Sequence, residues 1–153
     1  MLNDSLKANG VLQVKLLDAA GNVKEEYQHV NTVVGTGLAY IASRMKDASA
    51  TAMSHMGIGS GSTAAAVADT ALGSQLARVA LDAGSPTLVT TTVTNDSIQY
   101  VATFAAGTGT GAVTEAGIFN AGTSGTMLCR TVFAVINKGA LDTLVITWKV
   151  TVA

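Results

Sequence analysis

The stretch TLVITWKVTV, residues 143–152, decides the fold, because apolar and polar side chains alternate along it. Leu144, Ile146, Trp148, Val150 and Val152 fall on one side; Thr143, Thr147, Lys149 and Thr151 fall on the other, with Val145 among them. A period of two predicts a strand with one buried face. Burying five such side chains contributes about 1.5–3 kcal/mol each, most of it offset by the entropy of ordering the chain. Upstream, residues 126–135 predict another strand. Met127, Cys129, Thr131 and Phe133 share one face, while Leu128, Arg130 and Val132 share the other. Apolar groups on both faces predict a strand covered twice, by the core and by a neighbour.

Working outward, residues 113–119 predict a third strand, and GTGTG, residues 107–111, a loop. Residues 88–94 and 98–105 read as strands separated by a turn at Asn95-Asp96, with Pro86 marking the turn before them. Residues 11–17 and 23–30 flank Asp18-Ala19-Ala20-Gly21-Asn22 and read as a hairpin. One segment is helical, Thr36–Lys46: Thr36 is placed to cap it, and Leu38, Ile41, Ala42 and Met45 form a stripe at spacings of three and four. Arg44 and Lys46 complement the dipole of its last turn. The alanine-rich stretch 64–81 is broken by Gly73, so a strand is expected only at about 76–82. The sum is a mainly β fold, an antiparallel β-sandwich or jelly-roll with one α-helix at about residues 36–46. One domain is expected over residues 1–153, with the polar residues 1–10 forming an N-terminal arm.

Composition narrows the function. The 153 residues carry nine basic and ten acidic side chains and a net charge of −1. The basic residues are scattered from Lys7 to Lys149, so no nucleic-acid partner is expected. No apolar run reaches the roughly 18 residues of a spanning helix, and MLNDSLKANG lacks the pattern of a signal peptide. Synthesis in a cytoplasm with no membrane partner is therefore the expectation. Ala, Thr and Gly dominate, and a sparsely charged surface tolerates close association with other subunits. Cys129 is the only cysteine, which excludes an internal disulfide and reads as a small buried hydrophobe.

Side chains for chemistry are few. GIGSGS, residues 57–62, lacks the third glycine and the downstream acid of a dinucleotide loop, and no Lys-Ser or Lys-Thr ends a glycine run. It reads as a flexible loop between strands. His29 and His55 lack a carboxylate cluster, so neither a metal nor another cofactor is expected. No catalytic residue is assigned, and no enzyme activity is expected. Glu115 stands out, a carboxylate within the apolar strand VTEAGIF. An unpaired buried charge is costly, so Glu115 is expected in a structural ion pair with Arg78 or Arg130, either of which can grip it through two hydrogen bonds.

Two stretches carry a resemblance. MSHMGIGSGSTAAAVADTALGSQLARVAL, residues 53–81, presents Gly59, Gly61, Thr70, Leu72, Gly73, Leu76 and Arg78. VTEAGIFNAGTSGTMLCRTVFAVINKG, residues 113–139, presents Thr114, Glu115, Gly117, Phe119, Met127, Arg130, Phe133, Asn137 and Lys138, followed by Leu144 and Trp148. With residues 18–45, this pattern resembles small virion structural proteins of tailed bacteriophages. The resemblance implies a structural component of the virion, located in the particle. The first expectation is a capsid decoration or cement protein bound to the outer lattice, its partners the major capsid protein or other virion proteins. The alternative is a tail, baseplate or fibre-attachment component, because the same stretches are similar to the N-terminal part of tail-collar fibre proteins. The sequence to residue 153 carries no fibre, so the expectation leans modestly toward the capsid. A closed homo-oligomer, a dimer or trimer, is expected. A small enzyme or a carbohydrate-binding module is the rival from another class, weakened by the scarcity of ionisable and exposed aromatic groups.

Overall fold

The computed structural model describes residues 7–152. Period-two alternation dominates it: β1 (Ala8–Leu17), β2 (Val23–Val33), β3 (His55–Gly59), β4 (Gln75–Ala80), β5 (Thr87–Val89), β6 (Ser97–Phe104), β7 (Gly111–Phe119), β8 (Met127–Lys138) and β9 (Thr143–Val152), with one helix, α1 (Gly35–Lys46). All pairings are antiparallel, in the order β4-β3-β7-β8-β2-β1-β9-β6-β5. The fold is mainly β with one helix and a curled antiparallel sheet. Thr32 and Val33 of β2 join β8, while the rest of β2 pairs with β1. Curling brings the segment after β4 onto β6: Asp82 N–H donates to the Val101 carbonyl (2.8 Å), and Thr103 N–H and Oγ1 donate to the Asp82 carboxylate (2.9 and 2.7 Å).

The inward side chains of both halves form one core. In β9 the buried residues are Leu144, Ile146, Trp148 and Val150, facing Leu12, Val14 and Leu16 of β1 and Tyr100, Ala102 and Phe104 of β6. The buried Trp148 indole donates to Asn31 Oδ1 (2.8 Å), which meets the need of a buried N–H for a partner.

Several expected elements differ in detail. Ala8–Gly10, expected in an arm, belong to β1 and pair with Val150–Val152 of β9; residues 1–6 of that arm lie outside the described residues. The strand expected at 88–94 is only Thr87–Val89. Asp96 ends it by accepting the N–H groups of Thr91, Thr92 and Val93 (2.8–2.9 Å), which bends the chain into a turn.

The helix occupies the expected residues but docks by another face. Thr36 does not cap it: its hydroxyl donates to the Met127 carbonyl (2.8 Å), and Val34 sits at the cap position without a side-chain bond. Leu38 and Met45, expected inward, are 48% and 76% exposed. Gly37 is the buried helical residue, because a Cβ there would run into the Leu128 carbonyl of β8. Close backbone approach, available only to glycine, therefore decides which face docks.

Candidate functional site

The flexible loop expected at residues 57–62 is not one: Gly57–Gly59 belong to β3, and the stretch that follows is not loose. Residues 60–74 make a strap whose ends meet, Ser60 N–H donating to the Ser74 carbonyl (2.8 Å) and the two Ser hydroxyls bonding (3.2 Å). This is the form of an Ω-loop packed by its own contacts. The strap lies over the outer face of β7 and β8 and reaches α1, where the Gly35 N–H donates to the Val67 carbonyl (2.7 Å). Below it, Leu72 packs against Val34, Phe119 and Met127, a small cluster separate from the main core. The second cover over β8 thus comes from this chain itself.

Glu115 is the anchor. It projects from β7 and is 0% exposed. Its Oε1 accepts the N–H groups of Gly61 (2.9 Å) and Ser74 (2.8 Å); its Oε2 accepts the Gly73 N–H (2.9 Å) and Arg130 Nε (2.9 Å), with Arg130 Nη2 at 2.8 Å. Arg130, on β8, also donates through Nη1 to Asp69 Oδ2 (2.7 Å) and through Nη2 to the Thr63 carbonyl (3.1 Å). Asp69 in turn accepts the Ala66 N–H (2.9 Å). One carboxylate and one guanidinium therefore hold both arms of the strap and its crest.

Glycine makes this possible. A Cβ on Gly61 would collide with the Glu115 carboxylate, and one on Gly59 would come within 2.5 Å of Glu115 Oε1. Backbone N–H groups can converge on a carboxylate only where no side chain intervenes.

The electrostatics follow from these contacts. Burial alone would push the Glu115 carboxyl up, but the N–H groups of Ser74, Gly73 and Gly61 and the Arg130 guanidinium outweigh it and hold it below the usual range. The Ala66 N–H and Arg130 likewise hold Asp69 down. For Arg130, burial opposes the charge, but Asp69 and Glu115 prevail and raise its value. With both oxygens of Glu115 occupied and shielded from solvent, the arrangement orders a loop and offers no free base.

Of the two arginines expected near Glu115, the structure brings only Arg130 to it. Adjacent pairing explains this, since β8 lies beside β7 with Val132 opposite Glu115 and Arg130 opposite Gly117. Arg78 sits across β3, opposite Gly57. Its guanidinium lies over the Phe119 ring (3.5 Å to the centroid) and donates to the carbonyls of Ala121 (3.1 Å) and Ser124 (2.8 Å), fixing the β7–β8 turn.

The remaining candidates take structural positions. His55 Nδ1 lies 2.8 Å from Ser54 Oγ, and Cys129 is fully buried, its thiol pushed up by desolvation. Among the described residues, no group of three or more His, Cys, Asp or Glu could hold a metal ion, and no helix is long and apolar enough to cross a membrane.

Two features escaped sequence reasoning. Asp69 had one available signal: it is the only carboxylate between Asp47 and Asp82. Lys138, 2% exposed, donates to the carbonyls of Ala105 (3.0 Å) and Asp142 (2.7 Å), while the Asp142 carboxylate bonds Lys24 (2.8 Å). Lys138 is among the residues carrying the resemblance, but its spacing gives no sign of burial or of these carbonyl partners. No family model, curated protein or solved structure matches the chain.

Proposed function

We propose that this chain is a structural protein of a tailed-bacteriophage virion, a capsid decoration protein that binds the outer lattice through protein–protein contacts. One observation carries the proposal: several of the residues that carry the resemblance, Glu115 and Arg130 above all, also build the strap clamp. Gly59 and Gly61 leave room for Glu115, Gly73 donates its N–H to it, Leu72 packs beneath, and Arg130 closes the network. That part of the shared pattern serves rigidity and calls for no reaction. Sparse charge and exposed apolar residues such as Val30, Leu88 and Leu141 support a surface that meets other subunits. A protein that binds only the assembled lattice stabilises that state by linkage, with no covalent step.

The same proposal takes residues 1–153 as a single domain, its fold a β-sandwich in which β2 passes from one half to the other. It also takes the working form as a dimer or trimer. The test is to localise the protein in purified particles by density mapping and quantitative mass spectrometry. A copy number that scales with the capsid lattice, on shells lacking tails, is the expected result. Recovery only with isolated tails, in a few copies, would replace this reading with that of a tail or fibre-attachment component. Absence from particles would reject both.

A further inference from the structure

A groove of about 410 Å³ lies between the C-terminal half of α1, residues 52–53 and the ends of β6 and β9. Its size falls within the roughly 300–1,000 Å³ typical of binding clefts. Ile98 and Met53 contribute apolar surface, and Met45 stands 76% exposed at the rim. Unbranched, polarizable methionine is the side chain best suited to pack against partners of irregular shape. Tyr40 and Tyr100 also line the groove, and neither hydroxyl bonds another described residue; Tyr27, by contrast, donates its hydroxyl to the Ala134 carbonyl. Among the described residues, Arg44 is the one charged residue in the lining, and none of their carboxylates lines the groove with it. Its Nη1 is held by the carbonyls of Ala48 (2.9 Å) and Ala50 (2.7 Å), which fixes the guanidinium at the groove without neutralising it.

We infer that this groove docks a peptide segment of a partner protein in which large apolar side chains flank a carboxylate. The apolar side chains fill the cleft between α1 and β6, the carboxylate meets Arg44, and the two phenols are placed to bond the peptide backbone. Charge complementarity selects the partner: a single cation among described lining residues that are otherwise uncharged favours an acidic segment over a basic one. Docking an apolar face into such a groove is a recurrent mode of peptide recognition. The inference stands apart from the virion proposal, because it concerns the isolated protein and any partner with that chemistry.

The experiment labels the methionine methyl groups of the full chain with carbon-13 and titrates it with three probes. These are acetyl-Phe-Leu-Glu-Leu-amide, the same peptide with Lys in place of Glu, and dodecanoate. The expected result is movement of the Met45 and Met53 methyl signals with the Glu peptide, bound about three- to fivefold more tightly than the Lys peptide at low salt. Arg44→Gln should abolish that preference. Because Arg44 also holds the loop after α1, Met45→Glu serves as a second variant at an exposed position; it should weaken the Glu peptide while leaving the melting temperature unchanged. Methyl signals that stay still, equal binding of the two peptides by the unaltered protein, or occupation by dodecanoate alone would overturn the inference. None of these outcomes bears on particle localisation, so the two proposals fail separately.

Discussion

Replacing Glu115 with Gln keeps the shape of the side chain and removes its charge, which isolates the clamp from packing. Each Glu115 oxygen accepts two donors: Gly61 and Ser74 on one, Gly73 and Arg130 on the other. An amide presents one oxygen and one NH₂ group, so in either orientation two donors face another donor. Arg130, with a side chain only 3% exposed, keeps Asp69 but loses its buried partner. Breaking a buried pair by removing one member costs about 3–5 kcal/mol, a large fraction of the roughly 5–15 kcal/mol that holds a typical domain together. Urea unfolding followed by circular dichroism should show that loss, and brief proteolysis should cut first within residues 60–74. Joint replacement, Glu115→Leu with Arg130→Met, should not recover it, since the N–H groups of Gly61, Gly73 and Ser74 then have no acceptor and Asp69 loses its cation. A Glu115→Gln loss below about 1 kcal/mol, within the range of a solvated pair, would refute the argument that this carboxylate anchors the strap.

Three further outcomes follow from the same geometry. Gly61→Ala should destabilise by about 1–3 kcal/mol, because the new methyl meets the Glu115 carboxylate and either the strap or the carboxylate must shift; calorimetry would show it, and an unchanged melting temperature would contradict it. Arg78→Ala and Glu115→Gln should be additive in a double-mutant cycle to within about 0.5 kcal/mol, whereas Arg130→Ala and Glu115→Gln should couple by more than that. On pH, Glu115 and Asp69 are both held below the ordinary carboxylate range. A depressed carboxyl adds stability that is fully present above its unfolded value, about 4, and is lost as pH falls through the folded value. The urea midpoint should therefore show little change from these groups between about pH 7 and 5, then decline in acid, with a shallower decline in Glu115→Gln.

How much of this was written in the chain can be traced through single residues. Residues 143–152 form β9 as expected because period-two alternation is a local property, readable without knowing the neighbours. The helix at 36–46 was legible for the same reason, but its docking face was not. Its apolar stripe points largely to solvent, since the backbone approach at Gly37 outweighs the gain from burying Leu38 or Met45. The need of Glu115 for a cation was also legible, because burial of a lone charge is costly wherever it occurs.

What the sequence alone determined is most of the strands, the single helix and the presence of a carboxylate that demands a partner. Those are settled by residue type and spacing within a few residues of each other. The tertiary structure decided the rest: that Arg130 and not Arg78 answers Glu115, that Asp69 joins them, and that a Gly-rich stretch becomes a fixed strap. These depend on which strands lie side by side and on backbone N–H groups brought together from residues 61, 73 and 74. Such contacts span long separations along the chain, and only the assembled sheet sets their distances.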